Sequence, residues 1–248
     1  MNSRVLYEDN HLIAVFKPAG VLIQGDKTGD KCLMDDVKKY LKKKYKKPGN
    51  VFLGLMHRLD RPVSGIVLFA KTSKGASRLS EQFRNHSVRK IYHTLVEGKL
   101  KNKSGTLVSY LKKDEKRNFV EVFDEPVDGA LRAELDYEAV TSHCEELAAA
   151  SDEAIQSSTD TGLPRSLRSL AMTDGVTMLK INLKTGRPHQ IRAQLAHIGH
   201  PIVGDVKYGS KIKYKDGQIA LCAAELSFET ATTKERKTIS IEYDPKNP

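Results

Sequence analysis

The chain has 248 residues, of which 39% are hydrophobic and 29% charged, close to the length of about 250–300 residues at which single cores stop growing. That composition excludes collagen-like, disulfide-scaffold and wholly disordered chains, and apolar runs such as Val51–Met56 and Ile219–Ala224 fall far short of the about 18–20 residues a membrane helix needs. The formal net charge of +10 at pH 7 favours polyanionic partners, nucleic acid before an anionic membrane face, with plain solubility as the other reading.

Residues 4–7 and 11–17 read as strands closed by a Pro18-Ala19-Gly20 turn. Leu33, Val37 and Leu41 recur every four residues, which predicts a helix with one apolar stripe, ending at Pro48-Gly49. Seven lysines between Lys38 and Lys47 make its outer face either a solvated surface or a phosphate-contacting arm. Two apolar runs, Val51–Met56 and Ile66–Ala70, then flank the loop His57–Gly65. Ser73 is placed as the cap of a helix carrying Ala76, Leu79 and Phe83 on one face. Val88–Val96 is a strand, Val108–Leu111 with Phe119–Phe123 a hairpin, and Ala133–Val140 another strand. The segment His143–Gly175, with a net charge of −4 and eight Ser or Thr, reads as a polar acidic insertion, with a short helix over Glu145–Ser151. It leaves +14 on the rest of the chain. Val176–Leu183 is a strand, Pro188–Ile198 a helix started by Pro and stopped by Gly199, and Ile219–Phe228 and Lys237–Tyr243 are strands. Strands and short helices without regular alternation give an α+β fold with a mixed or antiparallel sheet. The three cysteines, Cys32, Cys144 and Cys222, are widely spaced. They argue for a reducing cytoplasm and against a disulfide framework, and the N-terminus has no apolar signal core.

Three stretches carry candidate chemistry. In His57-Arg58-Leu59-Asp60-Arg61-Pro62-Val63-Ser64-Gly65 an aspartate ends an apolar strand between two arginines. A carboxylate held anionic there is an electrostatic anchor, a weak base, a nucleophile, or a turn residue paired with arginine. In Arg89-Lys90-Ile91-Tyr92-His93, alternation puts Lys90 and Tyr92 on one strand face. That Tyr is a core ring, or a stacking surface with a titratable hydroxyl if the face lines a basic cleft. In Lys184–Arg192 a glycine turn feeds a helix N-terminus carrying Arg187, His189, Gln190 and Arg192, donors suited to an anion or a carboxylate. His189, His197 and His200 match no common zinc spacing, and Gly25–Lys31 does not fit a P-loop.

In this order, HRLD-x-x-x-SG-x-x-x-x-AK, K-x-Y and GR-x-HQIR-x-x-x-x-x-x-GHPI-x-GD-x-x-Y resemble the RluA-type pseudouridine synthases. The opening VLYEDNHLIAVFKPAGVLI and the closing ALCAAELSF resemble them too, so that the likeness spans roughly 4–140 and 176–243. The resemblance implies a single catalytic domain on a bent, mixed, mostly antiparallel sheet with a central cleft. It implies isomerisation of uridine to pseudouridine in rRNA or tRNA by base flipping, with no cofactor and no metal. By motif position Asp60 matches the catalytic aspartate, Tyr92 the tyrosine that stacks on the base and serves as base, and Arg192 the arginine paired with the aspartate. Arg58 matches the residue that displaces the target base, and Leu221 one packed beneath the site. Arg61, Lys90, Arg187, His189 and Gln190 are expected to contact the substrate. An Arg-paired carboxylate suits work at a sugar, and an aromatic face offsets part of the cost of unstacking a base.

The sequence departs from the family in Arg61-Pro62-Val63, where many members have Thr and a small residue before Ser-Gly, and in Cys222-Ala223, where His-Ala is frequent. No separate N-terminal RNA-binding domain is expected, and the chain is expected to act as a cytoplasmic monomer without a membrane or an obligate protein partner. Two other readings stay open: a catalytically idle RNA-binding factor on the same scaffold, and a metal-dependent hydrolase using His189, His197, His200 and Asp205.

Overall fold

The structure, a computed structural model, describes residues 4–140, 175–215 and 217–243. All of the acidic insertion except Gly175 lies outside them, as do the helix expected over Glu145–Ser151 and Cys144.

Eleven strands form one sheet in the order β1-β2-β4-β10-β5-β9-β8-β6-β7, with β3 added to β4 and β11 to β10. They are β1 (Val5–Glu8), β2 (Leu12–Lys17), β3 (Gly54–Leu55), β4 (Ser64–Ala70), β5 (Arg89–Glu97), β6 (Ser104–Asp114), β7 (Phe119–Phe123), β8 (Leu131–Ala139), β9 (Val176–Leu183), β10 (Leu221–Glu229) and β11 (Arg236–Ser240). Only β4 and β10 run parallel, and they touch at two residue pairs, Cys222 with Ser64 and Ala223 with Gly65. The approach there is so close that a Cβ on Gly65 would lie 2.5 Å from the Ala223 backbone, and the residue sits at φ +126°. Only glycine fits. The α+β class and the mostly antiparallel sheet are as the sequence suggests.

Alternation sorts the core. Ile13 and Val15 of β2, with Val67 and Phe69 of β4, join the cluster capped by Leu33, Val37 and Leu41 of helix α1 (Leu33–Lys44). Leu12, Ala14, Ile66 and Leu68 face the opposite way, into a cluster with Leu79 of helix α2 (Ser73–Arg84). Both strands are thus buried on both faces, which is why they read as continuous apolar runs.

Several element ends differ from expectation, each for a local reason. Helix α1 stops at Lys44, before Pro48, with Lys46 in the left-handed region at φ 47°. Thr72, not Ser73, caps α2, because its side chain accepts the Gly75 N–H. Of the run Val51–Met56 only Gly54 and Leu55 pair as strand. The third helix, α3, runs Gln190–His197, two residues later than Pro188 predicts. His189 stands at its N-cap in the left-handed conformation (φ 50°, ψ 17°), so the chain cannot be helical before it.

Candidate active site

The cleft has a volume of about 1050 Å³ and lies where the β3–β4 loop, strand β5 and the start of α3 converge. The loop that carries Asp60 is pinned from several sides. The Lys17 ammonium donates to the carbonyls of Pro18 and Arg61 at 3.1 Å each, and the Gly20 N–H donates to the same Arg61 carbonyl at 2.7 Å. The Ile219 N–H reaches the Pro62 carbonyl at 3.3 Å, tying the loop to the approach of β10. Lys17 is fully buried, and burial pulls its pKa down to about 7, against the attraction of Asp60.

Arg192 joins two carboxylates. Its Nε and Nη2 donate to the two oxygens of Asp205 at 2.6 and 2.8 Å, a bidentate fork, while Nη1 donates to Asp60 Oδ2 at 3.1 Å. The Arg192 side chain is 7% exposed and that of Asp205 1%, but Asp60 keeps 33%, open to the cleft. Burial works against the guanidinium charge, and Asp205 and then Asp60 more than offset it, leaving Arg192 above its ordinary value. The pairing of Arg192 with Asp60 is present, yet the stronger and drier partner is Asp205. Its signal in the sequence was its place after Gly204, whose φ of +85° and close approach to Tyr214 fix that turn.

His189 Nε2 lies 3.7 Å from Asp60 Oδ2, and its Nδ1 is 2.8 Å from the Tyr208 hydroxyl. That hydroxyl also accepts the Val120 N–H at 3.1 Å; when it donates its own hydrogen to Nδ1, the histidine presents Nε2–H toward Asp60. Burial lowers the His189 pKa, partly offset by Asp60. Lys17 and Tyr208 escaped the sequence reading, although a lysine closing the apolar run Leu12–Phe16 was a signal in itself.

The remaining candidates spread along the walls. Lys90 and Tyr92 both line the cleft, as strand alternation requires, and so does Leu221 on β10, which pairs with Thr94 of β5. Burial, followed by the charge of Asp60, raises the Tyr92 hydroxyl well above the ordinary tyrosine range. Arg58 is exposed and has no ion-pair partner among the described residues. Arg61 lines the cleft with its guanidinium bonded to Gly20 O and paired with Asp30 at 2.8 Å. Arg187 donates through Nε to the Arg132 carbonyl at 3.1 Å. Gln190 is 3% exposed; its Oε1 accepts from Arg187 N and Thr185 Oγ1 and its amide donates to Glu134 O, so it fastens the glycine turn.

The three histidines do not converge. His197 pairs with Asp124 at 2.9 Å and His200 Nδ1 bonds the Glu97 carbonyl at 2.8 Å, both away from His189. Among the described residues no group of three His, Cys, Asp or Glu is arranged to hold a metal ion, and no helix is long and apolar enough to cross a membrane.

The family model described as RNA pseudouridylate synthase matches residues 11–197. A protein of Haemophilus ducreyi named tRNA pseudouridine synthase C is 32% identical over 98% of this chain and 92% of its own length. One of Vibrio cholerae with the same name is 29% identical over 97% and 91%. The structure of human RNA pseudouridylate synthase domain containing 4 superposes with a TM-score of 0.70 at 19% identity, covering 96% of this chain and 88% of that one. For domain containing 1 the TM-score is 0.66 at 20% identity, over 98% and 84%.

Proposed function

The chain belongs to the RNA pseudouridylate synthase family, and on that premise we propose that it converts uridine to pseudouridine in a folded transfer RNA, with Asp60 as the carboxylate at the reacting ribose. The observation that carries this reading is the linkage Asp205–Arg192–Asp60 at the floor of the cleft. A guanidinium whose Nε and Nη2 are locked by a buried carboxylate still has its Nη1 to offer, and Nη1 holds Asp60 with an oxygen free toward the substrate.

The reaction breaks the bond from uracil N1 to C1′ of ribose, turns the base, joins C5 to C1′, and replaces the proton lost from C5 by one gained at N1. Asp60 serves the first step by attacking C1′ or by stabilising positive charge there. Reaching C1′ requires the nucleotide out of its stack, at a cost of a few kcal/mol, and the Tyr92 ring on the cleft wall offers a face in exchange. Arg58, exposed beside Asp60, is in position to fill the space the base leaves. Because burial keeps Tyr92 as the phenol, its oxygen takes the C5 proton only while handing its own on to water. No step calls for a metal or cofactor.

Transfer RNA is favoured over other RNAs because the similar proteins of H. ducreyi and V. cholerae are named for it. The reading is of one catalytic domain that carries the insertion at 143–175. The test is pseudouridine mapping in tRNA from cells without the gene, restored with wild type or with Asp60→Asn. Wild type should restore at least one site in tRNA and Asp60→Asn none, while both bind tRNA alike. Restoration by Asp60→Asn at the wild-type rate would overturn the assignment, and restoration only in ribosomal RNA would overturn the substrate.

A further inference from the structure

Lys90 is a buried cation for which neither the fold nor the proposed chemistry supplies a partner. It sits on β5 two residues before Tyr92 and on the same face, with its backbone in register with Leu226 of β10, so its position is fixed by the sheet. The side chain lines the cleft, is only 9% exposed, and makes no hydrogen bond or ion pair among the described residues. Other buried lysines show what is missing: Lys17 donates to two carbonyls, and Lys71 pairs with Glu8 at 2.6 Å.

The surroundings of Lys90 carry no compensating charge. His57 is neutral: burial and then the Lys90 charge lower its pKa to about 4, and its Nε2 accepts the Leu68 N–H at 3.0 Å. Gly186 comes so near that a Cβ there would lie 3.9 Å from Nζ. An ammonium withdrawn from water and left unpaired is unfavourable, and such groups persist where a ligand brings the opposite charge.

Depth decides which part of the substrate that is. The phosphates of an extruded nucleotide stay at the mouth, within reach of exposed Arg58, while its base goes deepest. Lys90, 9% exposed and on the same cleft-lining face of β5 as Tyr92, belongs with the base and not with the phosphates. With C1′ at Asp60 and the ring over Tyr92, a carbonyl oxygen of uracil is the group that would meet Nζ.

We propose that Lys90 binds a carbonyl oxygen of the extruded uracil and stabilises the negative charge that the base carries while detached from the ribose. The assignment rests on Asp60 acting at C1′ as described above. When the N1–C1′ bond breaks, its electron pair goes to N1 and is shared by conjugation with the carbonyl oxygens, while C1′ is bonded to, or ion-paired with, the Asp60 carboxylate. Attack of C5 on C1′ uses that electron density and releases the Asp60 carboxylate, leaving a neutral base that still carries its proton on C5; that proton then leaves to Tyr92 while N1 takes one from water, which completes pseudouridine. A fixed ammonium at the carbonyl edge interacts more strongly with the detached anion than with neutral uridine, which is the condition for lowering the barrier.

The experiment compares wild type, Lys90→Met, Lys90→Arg and Asp60→Asn on total tRNA from cells lacking the gene. Single-turnover rates, Kd at several salt concentrations and melting temperatures are measured for each. Loss of one such stabilising group should slow Lys90→Met about 100-fold. Its Kd should stay within about twofold and its salt dependence should not change, because no phosphate contact is lost. Its melting temperature should hold or rise, since a desolvated charge is gone, and Lys90→Arg should recover part of the rate. A weaker Kd with a shallower salt dependence and an unchanged rate would place Lys90 on a phosphate and overturn the assignment. So would a wild-type rate for Lys90→Met beside an inactive Asp60→Asn. A wild-type rate for Asp60→Asn sinks the underlying reading instead. Should Lys90→Met fail to fold, Lys90→Gln serves in its place, with the same outcomes deciding.

Discussion

Arg192 separates two jobs that a single arginine–aspartate pair would merge. Asp205, 1% exposed, supplies the counter-charge that lets a guanidinium lie in the core, and Asp60, a third exposed, is left available to the substrate. Replacing Arg192 by Gln should therefore hurt stability through Asp205, by about 3–5 kcal/mol, because a buried carboxylate loses its partner. At this size that is a fall in melting temperature of order 10 °C, readable by calorimetry, together with loss of activity. The double change Arg192→Met with Asp205→Leu should recover much of the stability and none of the activity. Equal stability loss in Asp60→Asn would contradict the division, since that residue is solvated and its amide keeps a hydrogen bond. Sequence reasoning placed Arg192 against Asp60 through the motif alone. It missed Asp205 as the clamp because thirteen residues and a glycine turn separate the pair, and nothing periodic links them.

At the scale of elements, β1, α1 and the end of β4 are fastened at Glu8. Its carboxylate accepts from Lys44 and Lys71 at 2.6 Å each and from the Tyr45 hydroxyl at 2.6 Å, with Tyr40 at 3.1 Å. Burial opposes the charge, but these donors outweigh it and pull the Glu8 pKa to about 2 from an ordinary 4.5. Its contribution to stability is thus complete above about pH 4.5 and disappears as pH falls through about 2. Part of Glu8's contact is with exposed Lys44, so a contribution of about 2 kcal/mol is expected after screening. Glu8→Gln should lose that amount at pH 7, and its stability should fall less steeply than wild type between pH 4.5 and 2. Parallel denaturant titrations at several pH values measure both, and identical slopes would dissolve the cluster's role. The α1 stripe was legible because three apolar residues four apart admit one helical face. The N-cap of α3 was not: a left-handed His189 is set by Tyr208 and Asp60, residues 19 and 129 positions away.

For the molecule as a whole, part of the basic excess stands exposed around the end of α1. Lys42, Lys43 and Lys46 are exposed at and just after the end of α1, whereas Lys44 is taken by Glu8. Converting those three to Glu should weaken tRNA binding and lower the slope of log affinity against log salt by a little under one per lost contact, about two to three in total. The single-turnover rate at saturating enzyme should stay near wild type, because none of the three lines the cleft. An unchanged slope would mark them as a solvated face.

The sequence by itself determined the elements and the chemistry-bearing residues. Apolar periodicity set β2, β4, α1 and β9, and the ordered motifs around Asp60, Tyr92 and Arg192 named the family the chain matches. Such features are local, or are fixed spacings that one chain displays directly. Only the tertiary structure decided which charges meet. It gave Arg192 to Asp205 before Asp60, put Lys17 under the Asp60 loop, paired Arg61 with Asp30, and left Lys90 buried without a counter-ion among the described residues. The physical reason is that an ion pair depends on distance and on the water excluded around it, and both are set by strands and turns far apart in the chain.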